Sequence, residues 1–144
     1  MEARRSSRLS FVSTPAVRYR SVMAPLSTHL PGTHLLIDFY GAAHLTNALQ
    51  LEAALRAAAA AAEATVIAAH FRSFSGESGV TGMLLLAESH ISIHTWPELG
   101  FAAVDIFICG HSDANAARVA LEVALAPERV VVMAVQRGLD QRNQ

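Results

Sequence analysis

Val80-Thr-Gly-Met-Leu-Leu-Leu-Ala-Glu-Ser-His-Ile-Ser-Ile-His-Thr-Trp96 reads as two apolar strands folded back on each other. Residues 80–87 make the first run and residues 91–96 the second, with a tight turn expected near Glu88–His90. Alternation along the second strand puts His90, Ser92 and His94 on one side and Ile91 and Ile93 on the other. Continued backwards, it puts Ser89 on the side opposite His94. A sharp turn must therefore intervene if Ser89 and His94 are to share a site.

Working outward, residues 65–74 read as a strand and residues 75–79 as a loop. Before them, residues 34–40 form an apolar strand that Gly41 ends. A helix follows over about 45–62, with Thr46 or Asn47 placed to cap it, and Ala48, Leu51, Leu55, Ala58 and Ala62 form one buried stripe. The alanines at 57–62 supply helix propensity and close packing. Downstream, residues 102–109 form a strand closed by Gly110. A second helix spans about 113–126, opened by Ser112 or Asp113 and stopped by Pro127. Residues 130–135 are the last strand, and the tail after Gly138 is polar. The order β-α-β-β-β-β-α-β predicts an α/β, two-layer sandwich with two helices on one face of a largely antiparallel sheet. The other face is too apolar for water, so a partner subunit, giving a homodimer, is expected there.

The 144 residues suit one domain over 32–144. Residues 1–31 hold five of the eleven arginines and a single acid, Glu2, and have no sustained period. They are expected to be a disordered extension. Their Arg- and Ser-rich, acid-poor character has something of an organelle transit peptide, and Met23 is an alternative start. From Pro31 onward eleven acids face six arginines, which gives no electrostatic case for nucleic-acid binding. No apolar run reaches the ~18–20 residues of a membrane span. Lysine is absent, so the Schiff base that anchors pyridoxal phosphate cannot form. The lone Cys109 excludes an internal disulfide and four-cysteine zinc sites, and a body with one cysteine and no secretion features suits a reducing cytoplasm.

Three readings of the His- and Ser-bearing strand stand side by side on the residues alone. His90 and His94, with His70, could ligate a metal, although an H-x3-H pair suits a helix better than a strand. Ser89 or Ser92 could pair with His94 as a hydrolase, although no G-x-S-x-G elbow is present. The histidines could also be core residues satisfied by hydrogen bonds.

The longer motif Glu88-Ser-His-Ile-Ser-Ile-His-Thr-Trp-Pro-Glu98 resembles the signature of the prokaryotic S-adenosylmethionine decarboxylases, pyruvoyl-dependent proenzymes of spermidine biosynthesis. Gly79-Val-Thr-Gly82 and Ala103-Val-Asp-Ile-Phe-Ile-Cys-Gly110 flank it at the family's spacing, and the likeness runs from about Gly32 to Gly138. The resemblance implies autocatalytic cleavage between Glu88 and Ser89. Ser89 attacks the Glu88 carbonyl, and His94 removes the α-proton so that the ester is eliminated. The result is a β chain, 1–88, and an α chain, 89–144, that begins with a pyruvoyl group made from Ser89. That ketone forms the imine with a small-molecule substrate, in place of pyridoxal phosphate, which explains the missing lysine. Cys109 matches the proton donor of catalysis.

The same resemblance assigns Glu98 to the ribose hydroxyls and Phe74 to adenine stacking; a solvated strand-end carboxylate and core packing are the plainer alternatives. Thr81 stands where the family more often has Ser, and keeps a hydroxyl that could polarise the Glu88 carbonyl. The segment Phe39-Tyr-Gly-Ala-Ala-His-Leu-Thr-Asn47 lacks a Cys-Asp pair common after the Gly. Some relatives decarboxylate arginine or ornithine with unchanged processing machinery, and a non-catalytic dimeric homologue is a further alternative. Decarboxylation of S-adenosylmethionine to the aminopropyl donor is the expected activity.

Overall fold

The computed structural model describes residues 16–21, 32–75 and 78–138. In chain order these form β1 (Ala16–Ser21), β2 (Gly32–Tyr40), α1 (Ala48–Ala61), β3 (Val66–Ser73), β4 (Val80–Leu86), β5 (Ser89–Trp96), β6 (Phe101–Ile108), α2 (Ala114–Leu125) and β7 (Arg129–Arg137). A single 3₁₀ turn, Pro97–Leu99, links β5 to β6. The strands make one sheet in the order β1-β7-β2-β6-β5-β4-β3. All neighbours are antiparallel except β1, which runs parallel to β7.

Strand alternation decides what each face carries. Leu35, Ile37 and Phe39 of β2, Leu84 and Leu86 of β4, Ile91 and Ile93 of β5, and Val104 and Ile106 of β6 are buried on one face. Leu51 and Leu55 of α1 and Leu121 and Leu125 of α2 belong to the same core. Leu51 and Leu55 are fully buried in the stripe read from the sequence. Truncating either to Ala would cost about 2–5 kcal/mol. The opposite face, uncovered in the single chain, presents His90, Ser92, His94 and Trp96 from β5. It also leaves Leu36, Met83, Leu85 and Met133 substantially exposed.

Both helix starts follow capping chemistry. The Asn47 side chain accepts from the Gln50 N–H at 3.1 Å, and Asp113 accepts from Asn115 and Ala116. Two glycines let chains approach closely. A Cβ on Gly79 would stand 1.9 Å from the Thr95 carbonyl oxygen, and one on Gly82 2.1 Å from the Phe71 ring.

Two features depart from the sequence-based expectation. Ala16–Ser21, within the 1–31 stretch expected to be disordered, forms β1, paired from Ala16 opposite Arg129 to Ser21 opposite Ala134. The edge of β7 offers unpaired N–H and C=O groups that an extended segment satisfies. The second departure is that β5 begins at Ser89 rather than Ile91. Leu86 pairs with Ser89 and Leu85 with His90, leaving only Ala87 and Glu88 as the hairpin loop. The rest of 1–31, including Met23, the loop residues Gly76 and Glu77, and the tail after Gly138 lie outside the described residues.

Candidate active site

Two-residue hairpin loops usually take their twist from positive φ within the loop. Here neither Ala87 nor Glu88 has it; the next residue, Ser89, does, at φ 145°. That region is costly for a residue with a side chain, and such strain tends to gather at functional positions. It also answers the alternation problem. Register assigns Ser89 to the helix-covered side, yet its Oγ lies 3.3 Å from Nδ1 of His90, a residue of the uncovered face.

The turn is fixed from both sides. The Ala87 N–H donates to the Thr65 carbonyl at 2.9 Å, and the Thr65 N–H donates to Glu88 Oε2 at 2.8 Å. The Thr65 N–H is the main reason the Glu88 carboxyl is held below its ordinary range. From β6, the Cys109 N–H donates to the Glu88 carbonyl oxygen at 3.1 Å. Glu88, Ser89 and Cys109, three of the residues singled out in the sequence, thus meet at one end of the sheet.

The others meet at the opposite end. Thr81 Oγ1 and His94 Nδ1 are 3.1 Å apart across the β4–β5 pair. They line a cavity of about 820 Å³ with Phe74, Trp96 and Glu98. That volume suits a small-molecule ligand. Phe74 lies just beyond β3 and is 53% exposed, so it does not pack in the core. Glu98 sits in the 3₁₀ turn rather than at a strand end. Ser89 and His94 stand five positions apart along β5, about 16 Å at ~3.3 Å per residue. Within one chain, the two do not share a site.

Between the ends runs a polar band on the uncovered face. His34 Nε2 stands 3.5 Å from Asp105 Oδ1, close enough for attraction but without hydrogen-bond geometry. Ser92 Oγ donates to Asp105 Oδ2 at 3.4 Å, and Arg137 approaches His34 Nδ1 at 3.3 Å. Burial, reinforced by the Arg137 charge and partly offset by Asp105, pushes the His34 pKa down. His70, His90 and His94 line a second cavity, but among the described residues no three His, Cys, Asp or Glu side chains are grouped to hold a metal ion. Among the same residues, no helix is long and apolar enough to cross a membrane.

Sequence reasoning undervalued two residues. From the sequence His90 reads as a metal ligand or core residue, though it stands next to Ser89. Trp96 lay inside the quoted motif with no role; its ring lies 6.4 Å from that of His94 and lines the larger cavity.

Residues 33–138 match the family described as S-adenosylmethionine decarboxylase. An S-adenosylmethionine decarboxylase proenzyme of Thermomicrobium roseum is 41% identical over 109 residues, covering 75% of this chain and 94% of the relative. One from Methanococcus maripaludis is 40% identical over 111 residues, covering 75% and 90%. The crystal structure of the adenosylmethionine decarboxylase from Aquifex aeolicus is similar with a TM-score of 0.71 and 36% identity. It covers 81% of this chain and 98% of that one.

Proposed function

The chain belongs to the S-adenosylmethionine decarboxylase family, and we propose that it is a proenzyme that cleaves itself between Glu88 and Ser89 and decarboxylates S-adenosylmethionine. The observation that carries the processing step is the hydrogen bond from the Cys109 N–H to the Glu88 carbonyl at a strained Ser89. Attack by Ser89 Oγ on that carbonyl builds negative charge on its oxygen. A donor already aimed at the oxygen stabilises that charge without reorganisation. Cleavage also removes the peptide link that holds φ of Ser89 at 145°, so strain in the proenzyme favours the step.

The same junction fits a pyruvoyl group made from Ser89, which would supply the ketone that captures the substrate amine and the sink for the electrons left by CO2. Around it the junction of one chain and the larger cavity of a second copy would orient the substrate and move protons. The thiol of Cys109, whose backbone already touches the junction, donates the proton to the substrate carbon. Phe74 and Trp96 offer aromatic faces to adenine, and Glu98 accepts from the ribose hydroxyls within the larger cavity.

His94, about 16 Å from its own Ser89, serves the Ser89 of a second copy. Two uncovered faces stacked about a two-fold axis perpendicular to the strands would reverse one sheet on the other. The Ser89 end of each chain then lies over the Thr81–His94 end of its partner. Exposed Leu36, Met83, Leu85 and Met133 favour that stacking. The working unit is therefore a homodimer, acting on a small molecule in the cytoplasm.

Intact mass of the purified protein, followed by CO2 release from S-adenosylmethionine, tests the activity. A single chain of full mass that still turns over would overturn the pyruvoyl reading.

A further inference from the structure

We propose that His90 is the base that activates Ser89 for the first step of self-cleavage. This rests on the reading of Glu88–Ser89 as the processing junction. His94 cannot fill this part within the chain, being about 16 Å along the strand from Ser89. Among the described residues, the one hydrogen-bond contact of Ser89 Oγ is His90 Nδ1, at 3.3 Å. The contact exists because Ser89 departs from strand geometry: at φ 145° its hydroxyl reaches the ring of the next residue, which regular alternation would put on the opposite face.

The ring has fixed surroundings. Its strand neighbours are Leu85 on β4 and Phe107 on β6. The Phe107 ring meets it edge-on at 6.0 Å, and the His34 ring stands across it at 6.4 Å. His34 in turn is held between Asp105 and Arg137. With its ring hydrogen on Nε2, His90 presents the Nδ1 lone pair to the Ser89 O–H.

The step balances within this group of residues. Ser89 Oγ forms a bond to the Glu88 carbonyl carbon as its proton passes to His90 Nδ1. The carbonyl electron pair moves onto oxygen, facing the Cys109 N–H. That pair returns, the C–N bond breaks, and His90 gives the proton to the departing Ser89 nitrogen. An ester with a free amine results. Removal of the Ser89 α-proton is a later step and needs a different base.

The test separates these two steps. Newly made full-length proenzyme is followed by intact mass, with and without hydroxylamine, which cuts an ester but not a peptide. His90→Gln keeps much of the ring's volume and should slow cleavage at least about a hundredfold, the ordinary effect of losing a general base. It should remain uncut by hydroxylamine, because the ester does not form. His94→Ala, blocked later, should accumulate ester and be cut by hydroxylamine at Glu88–Ser89. Added imidazole should speed His90→Ala. If His90→Ala does not fold, His90→Gln decides. Cleavage of His90→Gln at the wild-type rate, or as ready a cut by hydroxylamine as in His94→Ala, overturns the role of His90 while the processing reading stands. Wild type that never cleaves overturns the processing reading itself.

Discussion

The backbone N–H of Cys109 is bonded to the carbonyl oxygen of Glu88 at 3.1 Å, tying the end of β6 to the turn between β4 and β5. On the proposed mechanism, backbone and side chain of Cys109 have separable duties. Cys109→Ala keeps the amide, so self-cleavage into two chains should persist. Removing the thiol takes away the proton donor, so turnover should collapse or end in conversion of the pyruvoyl group to an alanine-like end. Mass of the α chain and CO2 release read the two effects independently. Undiminished turnover would remove the thiol from the mechanism.

Sharing of sites between two copies has a direct genetic readout. Ser89→Ala and His94→Ala should each remain uncleaved when expressed alone. Co-expressed, they should restore cleavage in a fraction of the His94→Ala chains, because the Ser89→Ala partner supplies His94. No cleaved chain in a demonstrably mixed dimer would place both residues in one protomer's chemistry.

Thr95 is a structural member of the signature. Its hydroxyl donates to the Leu45 carbonyl at 2.6 Å and accepts from the Val80 N–H at 2.7 Å, and the residue is buried. Thr95→Val leaves both backbone groups unpaired, and should destabilise the chain by about 1–3 kcal/mol, while Thr95→Ser should cost less. Urea unfolding in a Ser89→Ala background, which avoids a mixture of cleaved and uncleaved chains, measures it.

The His34 pKa lies below its ordinary 6.5, chiefly through burial. Above that value the ring is neutral folded or unfolded, and no stability is lost through it. As pH falls below it, the unfolded chain takes up the proton first, so stability declines until the folded value is passed. In the Ser89→Ala background, the urea midpoint should fall from about pH 7.5 to 5.5, and His34→Gln should flatten that fall. Glu88 acts at lower pH with the same sign. Its carboxyl is held down by the Thr65 N–H, so the contact is kept above the unfolded carboxyl range and lost as pH drops through the folded value. An unchanged slope in His34→Gln removes His34 from the acid response.

Substrate choice tests the cavity at the Thr81–His94 end. Glu98→Gln should raise KM for S-adenosylmethionine about ten- to a hundredfold, equivalent to about 1.5–3 kcal/mol, while leaving self-cleavage intact. The wild-type enzyme should also prefer S-adenosylmethionine to arginine and ornithine. A higher kcat/KM on either amino acid would replace the substrate and keep the processing chemistry.

Six of the seven strands and both helices were legible from local pattern, because alternation and the Leu51–Leu55–Ala58 stripe are repeated signals that burial enforces. The family was legible too, through the long motif around Glu88–Ser89, where the resemblance places the junction. Several relationships depended on tertiary structure. Strand pairing set the hairpin at two residues and transferred positive φ to Ser89, which brought its hydroxyl to His90. The meeting of Cys109 with Glu88 spans twenty-one residues and depends on β6 lying beside β5. The separation of His94 from Ser89 was implicit in a strand's rise of ~3.3 Å per residue, but a motif read as a string conceals it. Sequence marks the candidate groups through residue type and motif. Which of them touch is fixed by register and by the face each strand turns to its neighbours, and these are properties of the assembled sheet.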